Sequence, residues 1–233
     1  VRADVDWSHL EAIGNYAVHA QPDVIVQIGD WPDMFSLSSY DKGKLSAEGR
    51  RLRDDFASVR ASVDLLMKPI RKYNKGRRNK YQPRLVITEG NHDVRLHRFV
   101  DENPAFSGFF SDDPFGFKAA GFEVFPFLKI ARIDNLEYVH YLPTAAGTAI
   151  TTAAGLLRVR HSSISVGHSH KIDVAYHATH HIGLISGAAY THSEAYAHGS
   201  DNFKRGIWRK SEVRNGTYDP MFVSCDYLIR RWL

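Results

Sequence analysis

Residues 23–30 read DVIVQIGD and residues 84–93 read RLVITEGNHD, and these two stretches decide the fold. Each is a short run of apolar, mostly β-branched residues that stops at a glycine followed by a polar side chain. Continuous apolar runs of this length mark strands buried on both faces, the habit of parallel sheets. The first run is preceded by residues 7–20 (WSHLEAIGNYAVHA), where Leu10, Ile13, Ala17 and Val18 fall on one helical face and Asp6 or Ser8 can cap the start. Residues 46–73 read as a long helix carrying Leu52, Phe56, Val59, Val63, Leu66 and Met67, with Pro69 expected to kink or end it. Another helix is expected at about 94–102. Residues 104–127 are rich in Phe, Gly and Pro, and the aromatic cluster there suits core or the edge of a lid.

Beyond residue 127 come the strand-like runs FLKIARI, LEYVHYL, SISVGH, KIDVAYH, HIGLISG, GIWRK and MFVSCDYLI, interrupted by one helix at about 148–160. Helix–strand alternation followed by strand-rich sequence predicts an α/β (α+β) chain with two packed mixed β-sheets flanked by helices, all in one domain over residues 1–233. A buried strand that follows a helix normally pairs with a parallel strand before that helix. Residues 1–6 (VRADVD) are too short and too polar for that, so the expectation is that the first strand is missing from the sequence.

Composition narrows the possibilities. The 233 residues are 43% hydrophobic and 24% charged, values that suit one globular domain. Cys225 is the single cysteine, which excludes an internal disulfide and a cysteine-rich zinc site. No apolar run approaches the roughly 20 residues a membrane helix needs. The formal charge of +4 is uneven: Lys68, Arg71, Lys72, Lys75, Arg77, Arg78, Lys80 and Arg84 follow one another without an acid. Such a run can attract a polyanion, or it can be a solvated helix end. Several of the 13 histidines cluster in the second half, as a metal site would require.

Three motifs stand at strand ends: Gly29-Asp30-Trp31-Pro32-Asp33, Gly90-Asn91-His92-Asp93 and Gly167-His168-Ser169-His170. A glycine lets the chain turn sharply, so the next side chain can project over the sheet edge. Carboxylate and amide oxygens with imidazole nitrogens are the donors that divalent cations take. One carboxylate such as Asp30 can bridge two cations. The structural alternative is a set of ordinary turn residues, since Asn and Asp favour turns.

GDWPD, GNHD and GHSH, in this order, resemble the motifs of the calcineurin-like metallophosphoesterases. The stretch GDWPDMFSLSSYDKGKLSAEGRR, the histidine of VHYLPTAAG and the closing GIWRKSEVRNGTYDPMFVSCDYL are similar to the compact members found in tailed-phage genomes. The resemblance runs from about residue 7 to the C-terminus. It implies a four-layer αββα sandwich and hydrolysis of phosphate esters by a two-metal-activated hydroxide. Asp30, Asn91, His140 and His168 would hold one cation, with Asp30 bridging. Asp30, His170 and an Asp-x-His pair would hold the other, and that pair is absent here; Asp4-Val5-Asp6 follows no apolar strand. Manganese is the first expectation, with zinc, iron, nickel or cobalt as alternatives. His92 would protonate the leaving oxygen, and Asp93 would orient His92.

Asp33, Tyr40, Lys42, Lys44 and His192 are candidates for touching the substrate, against the plainer reading of solvated loop residues. The basic run and the phage-type resemblance lean the expectation toward a phosphodiesterase or nuclease acting on DNA or RNA. A phosphomonoesterase on a nucleotide or phosphoprotein is the near alternative. A non-catalytic nucleic-acid-binding protein on a degenerate phosphoesterase fold is the alternative of another class. A soluble protein of the cytoplasm is expected, the host's if a phage encodes it. The sequence is silent on oligomeric state.

Overall fold

In the computed structural model, residues 1–39, 42–178, 180–192 and 204–233 are described. Helix α1 (Ser8–Ala20) leads into strand β1 (Val24–Gln27), and helix α2 (Leu52–Asn74) leads into β2 (Arg84–Thr88). Helix α3 (Arg95–Glu102) and an irregular Phe-rich stretch precede β3 (Phe122–Phe125). These strands form a three-stranded parallel sheet in the order β1-β2-β3, with Val24 opposite Arg84 and Leu85 opposite Phe122. The chain then forms β4 (Ala131–Ile133), β5 (Leu136–Tyr138), α4 (Ala153–Arg160), β6 (Ile164–Val166), β7 (Ile172–Tyr176) and β8 (Ile182–Ser186). Their five-stranded sheet runs β4-β5-β6-β8-β7, parallel from β5 through β6 to β8 and antiparallel at both edges. The hairpin β9 (Gly206–Arg214) and β10 (Thr217–Ser224) and helix α5 (Cys225–Trp232) complete the described chain.

Alternation along the strands explains the stacking. On the first sheet, Ile25, Leu85 and Ile87 face α1 and α2, joining Leu10, Val59, Val63 and Leu66 in one cluster. Val24, Val26 and Val86 point the other way and meet Ile133, Tyr138 and Ile182 of the second sheet. The second sheet's outer side buries Ile164, Val166 and Ile185 against Leu156 of α4. Each fully buried Val, Ile or Leu contributes about 1.5–3 kcal/mol. The architecture is thus mixed α/β with several sheets, as the patterning predicts, although the first sheet is wholly parallel where a mixed one was expected.

Local expectations fare unevenly. Pro69 does not end α2, which continues to Asn74. The proline is buried where a Cβ added to Gly14 of α1 would lie 2.3 Å from the Leu66 carbonyl oxygen and 3.0 Å from Pro69. MFVSCDYLI is not one strand: β10 ends at Ser224, whose hydroxyl accepts the Tyr227 N–H and starts α5. The Phe-rich stretch does supply core, with Phe115, Phe117 and Phe122 buried, while Phe109 stays 76% exposed.

The basic run lies far from the strand-end motifs. Arg77 stacks on Tyr73 at 4.1 Å, the Tyr73 hydroxyl meets Gln21, and the Tyr81 hydroxyl donates to the Pro22 carbonyl. Gln21 and Pro22 precede β1, whereas Asp30 follows it. The start of α2, where Asp55 accepts the Ser36 N–H, is the end near the motifs. Its 23 residues span about 34 Å. Lys68, Arg71 and Arg84 also meet Glu11 of α1, Asp64 of α2 itself and Glu123 of β3, so residues outside the run supply the acids it lacks.

Candidate metal centre

Two parallel strands of the first sheet and two of the second bring the motifs to one rim. Gly29 (φ 77°) and Asp30 (φ 56°) follow β1 in left-handed conformation, a geometry glycine adopts without strain. A Cβ on Gly29 would stand 2.6 Å from His140 Nδ1, and one on Gly90 would stand 2.1 Å from Asp30 Oδ1. Both glycines are therefore required by the close approach of the loops. Asp93 Oδ2 accepts the N–H groups of Asp30 (2.7 Å) and Gly90 (2.8 Å), tying the loops after β1 and β2 together. The loop after β6 joins through the His140 carbonyl, which accepts the N–H groups of Gly167 and His168.

Four side chains converge. His140 Nε2 lies 3.0 Å from Asn91 Oδ1, 3.2 Å from His168 Nδ1 and 3.2 Å from Asp30 Oδ2. His168 Nδ1 lies 2.9 Å from Asn91 Oδ1. His140 Nδ1 sits 2.9 Å from the Ile28 carbonyl oxygen, which can only accept, so Nδ1 carries a proton and Nε2 is the ring atom turned toward the other three. The centre thus gathers acceptors opposite acceptors, a packing that only a proton or a cation makes favourable. Donors on adjacent corners of an octahedron with 2.1 Å bonds are about 3.0 Å apart, close to the spacing here. Asp30, Asn91, His140 and His168 therefore fit one divalent cation, and the carboxylate, His140 and His168 also form a three-residue group of ligating atoms within 4.8 Å of one another. His140 is 1% exposed, while His168 opens to solvent and leaves an approach.

Electrostatics agree with that arrangement. Burial alone would raise the Asp30 pKa, yet contacts with His140 and His92 hold it well below the usual carboxylate range. Burial alone would lower His140, yet the Asp30 hydrogen bond and charge hold it above the ordinary histidine value. Burial and then the His140 charge push His168 down. Asp93 is pushed up by burial and by the nearby Asp30 charge.

The other expected site residues divide. Asp93 does not orient His92, because its Oδ2 is engaged by the two loop N–H groups. Asp33 does so instead: its Oδ1 lies 2.8 Å from His92 Nδ1. Arg95 places a guanidinium nitrogen 3.2 Å from His92 Nε2 and donates to the Asp33 carbonyl at 2.6 Å. A guanidinium only donates, so Nε2 accepts and the His92 proton sits on Nδ1, facing Asp33. The sequence reading missed Arg95; its i+3 spacing from His92 at the start of a helix was the available signal. His170 is not among the four converging groups. Its Nδ1 meets the Tyr190 hydroxyl at 2.9 Å, and Tyr190 stacks on His192 at 4.7 Å between centroids. Tyr190 was likewise not anticipated. Lys42 and Lys44 are exposed on the loop beyond Asp33, and Tyr40 lies outside the described residues.

Comparison with known proteins adds provenance. The Gene 54 protein of Mycobacterium phage L5 is 28% identical over 183 residues, covering 74% of this chain and 66% of that protein. The Gene 54 protein of Mycobacterium phage D29 is 27% identical over 183 residues, with the same coverage. These relatives are phage gene products. The chain thus spans just under two thirds of their length. No family model and no solved structure matches the chain. Among the described residues no helix is long and apolar enough to cross a membrane.

Proposed function

We propose that this chain is a metal-dependent phosphoesterase of the calcineurin-like type, with the four-layer sandwich of that family. The observation that carries the reading is the convergence of Asp30 Oδ2, Asn91 Oδ1, His140 Nε2 and His168 Nδ1. These residues would hold one divalent cation, manganese first among the candidates. A second cation would draw on Asp30 and on His170, which here bonds Tyr190. Bound cations supply Lewis acidity toward phosphoryl oxygens and lower the pKa of water at the site.

The chain's own residues do the rest. Asp93 keeps the two loops at fixed separation. Asp33 holds His92 by Nδ1, leaving Nε2 as the atom that takes up a proton from solvent and hands it to the leaving oxygen. Arg95 now bonds that nitrogen, so it has to swing toward a phosphoryl oxygen before His92 acts. The basic run stands at the far end of the first sheet, so it gives no support to a nuclease over a monoesterase at this rim.

The test is hydrolysis of bis-p-nitrophenyl phosphate and p-nitrophenyl phosphate by manganese-loaded protein, with bound metal measured alongside. Metal-dependent turnover of either ester is expected. Replacing His92 by Ala should lower turnover about 10²–10⁴-fold without changing bound metal. Stoichiometric metal with no turnover on either ester would overturn the catalytic reading and leave the binding protein.

A further inference from the structure

The parallel core of the second sheet has a second polar centre at its opposite end. His140 and His168 follow β5 and β6, whereas Arg160 and Ser162 precede β6 and His181 precedes β8. There, between the tips of the β4–β5 and β9–β10 hairpins and the end of α4, lies an open cleft of about 410 Å³. Arg132, Asn135, Glu137, Arg160, His181 and Asn215 are among its lining residues.

The cleft is organised around a buried carboxylate. The Glu137 side chain is 4% exposed. Arg160 grips it with Nε at 2.7 Å from Oε2 and an η nitrogen at 2.7 Å from Oε1. Arg132 adds Nε and an η nitrogen, each at 3.0 Å from Oε1. Two guanidiniums on one carboxylate leave one positive charge in excess. Each guanidinium uses only Nε and one η nitrogen on Glu137, so its remaining η nitrogen makes no hydrogen bond among the described residues. The Asn135 and Asn215 amides have no hydrogen bond among the described residues either. The tips that carry them touch: both residues are in left-handed conformation, and a Cβ on Gly216 would lie 3.3 Å from the Asn135 carbonyl oxygen. A buried anion has thus fixed the Arg160 fork and oriented the more exposed Arg132 beside it, and oriented forks lose less entropy on binding.

We propose that this cleft is an anion site, distinct from the metal centre, that binds the phosphate group of a small molecule of mononucleotide size. Guanidinium and amide N–H groups match phosphate oxygens in charge and in fork geometry. The cleft volume falls within the range of small-molecule sites. The assignment does not depend on the phosphoesterase reading, because no metal ligand takes part in it.

The experiment is titration calorimetry of metal-stripped protein in EDTA with inorganic phosphate, AMP and adenosine. Saturable binding of AMP and phosphate, with adenosine silent, is expected. AMP tighter than phosphate identifies a nucleotide ligand, and equal affinities identify the bare anion. Arg132→Gln should weaken binding at least tenfold. Arg160 still forks Glu137 in that variant, and circular dichroism and melting verify that it folds. Asn215→Ala, on the opposite tip, should weaken binding several-fold. Asn91→Ala, at the metal centre, should leave affinity unchanged. Absence of saturable binding, equal binding by adenosine, or loss of binding in Asn91→Ala but not in Arg132→Gln would overturn the site.

Discussion

Glu137 and His140 stand three residues apart on one stretch of chain, both almost fully buried, yet the protein surrounds them in opposite ways. Around Glu137 it places donors: two arginines supply four nitrogens to the two carboxylate oxygens. Around His140 Nε2 it places acceptors: an amide oxygen, a carboxylate oxygen and another imidazole nitrogen. The first arrangement neutralises the buried carboxylate and leaves one positive charge over. The second is complete only when something positive joins it. A buried charge with protein partners of opposite sign speaks of structure, and a buried set of like partners speaks of a ligand.

The widest gap between the two centres should appear on removing a ligating side chain. His140→Ala takes away the one donor whose tautomer the Ile28 carbonyl fixes. Changes even behind the ligands of a metal site commonly cost 10–100-fold in affinity, so losing a ligand itself should cost more than about 100-fold. Manganese titration of the stripped protein measures it. The same variant should leave phosphate affinity at the Glu137 cleft unchanged. Manganese affinity within a factor of three of the unaltered protein would mean that His140 is a satisfied core histidine and that the convergence is accidental.

The two centres also differed in how visible they were beforehand. Asp30, Asn91 and His168 each follow a glycine at the end of an apolar run, so local sequence announces them. His140 lies in LEYVHYL, where a core histidine and a ligand look alike; only the three-dimensional pairing with Ile28, Asn91 and Asp30 separates them. Asp93 was expected to orient His92 and Asp33 to touch the substrate, yet Asp33 is the partner, because which carboxylate reaches the ring depends on loop geometry. The Glu137 clamp was invisible. Its members, Arg132, Glu137 and Arg160, are ordinary charges in sequence, and α4 together with two strands of the second sheet assembles them. The strand-end runs gave β1, β2 and β6 because continuous burial leaves a local mark. The start of α5 was missed because Ser224 as a cap was outweighed by the apolar run before it.

Stability separates the two arginines of the clamp. Arg160 forks both oxygens of Glu137 and its side chain is 27% exposed; Arg132 reaches one oxygen and its side chain is 70% exposed. Arg160→Ala leaves a buried carboxylate with a single solvated partner and should cost about 3 kcal/mol, the low end for breaking a buried pair. Arg132→Gln should cost at most about 1 kcal/mol, as exposed pairs do. Urea unfolding of both variants at neutral pH decides the matter. Equal losses would mean that the two guanidiniums share the charge evenly and that the clamp has no dominant side.

The smallest effect expected is also the one that tests whether Glu137 is ionised at all. Burial pushes its pKa up, but Arg160, then Ser162 and then Arg132 hold it below the ordinary glutamate value of 4.5. A carboxyl depressed on folding stabilises the native state above its unfolded pKa, and that contribution is lost as pH falls through the folded value. Glu137→Gln keeps the shape and removes the charge. It should cost about 1 kcal/mol at pH 7, the gap between charged and neutral hydrogen bonds. The deficit against the unaltered protein should then shrink as pH is lowered below about 4.5. Because the other carboxyl groups titrate in both proteins, the difference between their urea curves isolates this one. A constant difference down to pH 3 would mean that folding does not lower the Glu137 pKa and that the arginines do not favour its ionised form. That result would remove the charge on which both the clamp and the preset forks of the cleft depend.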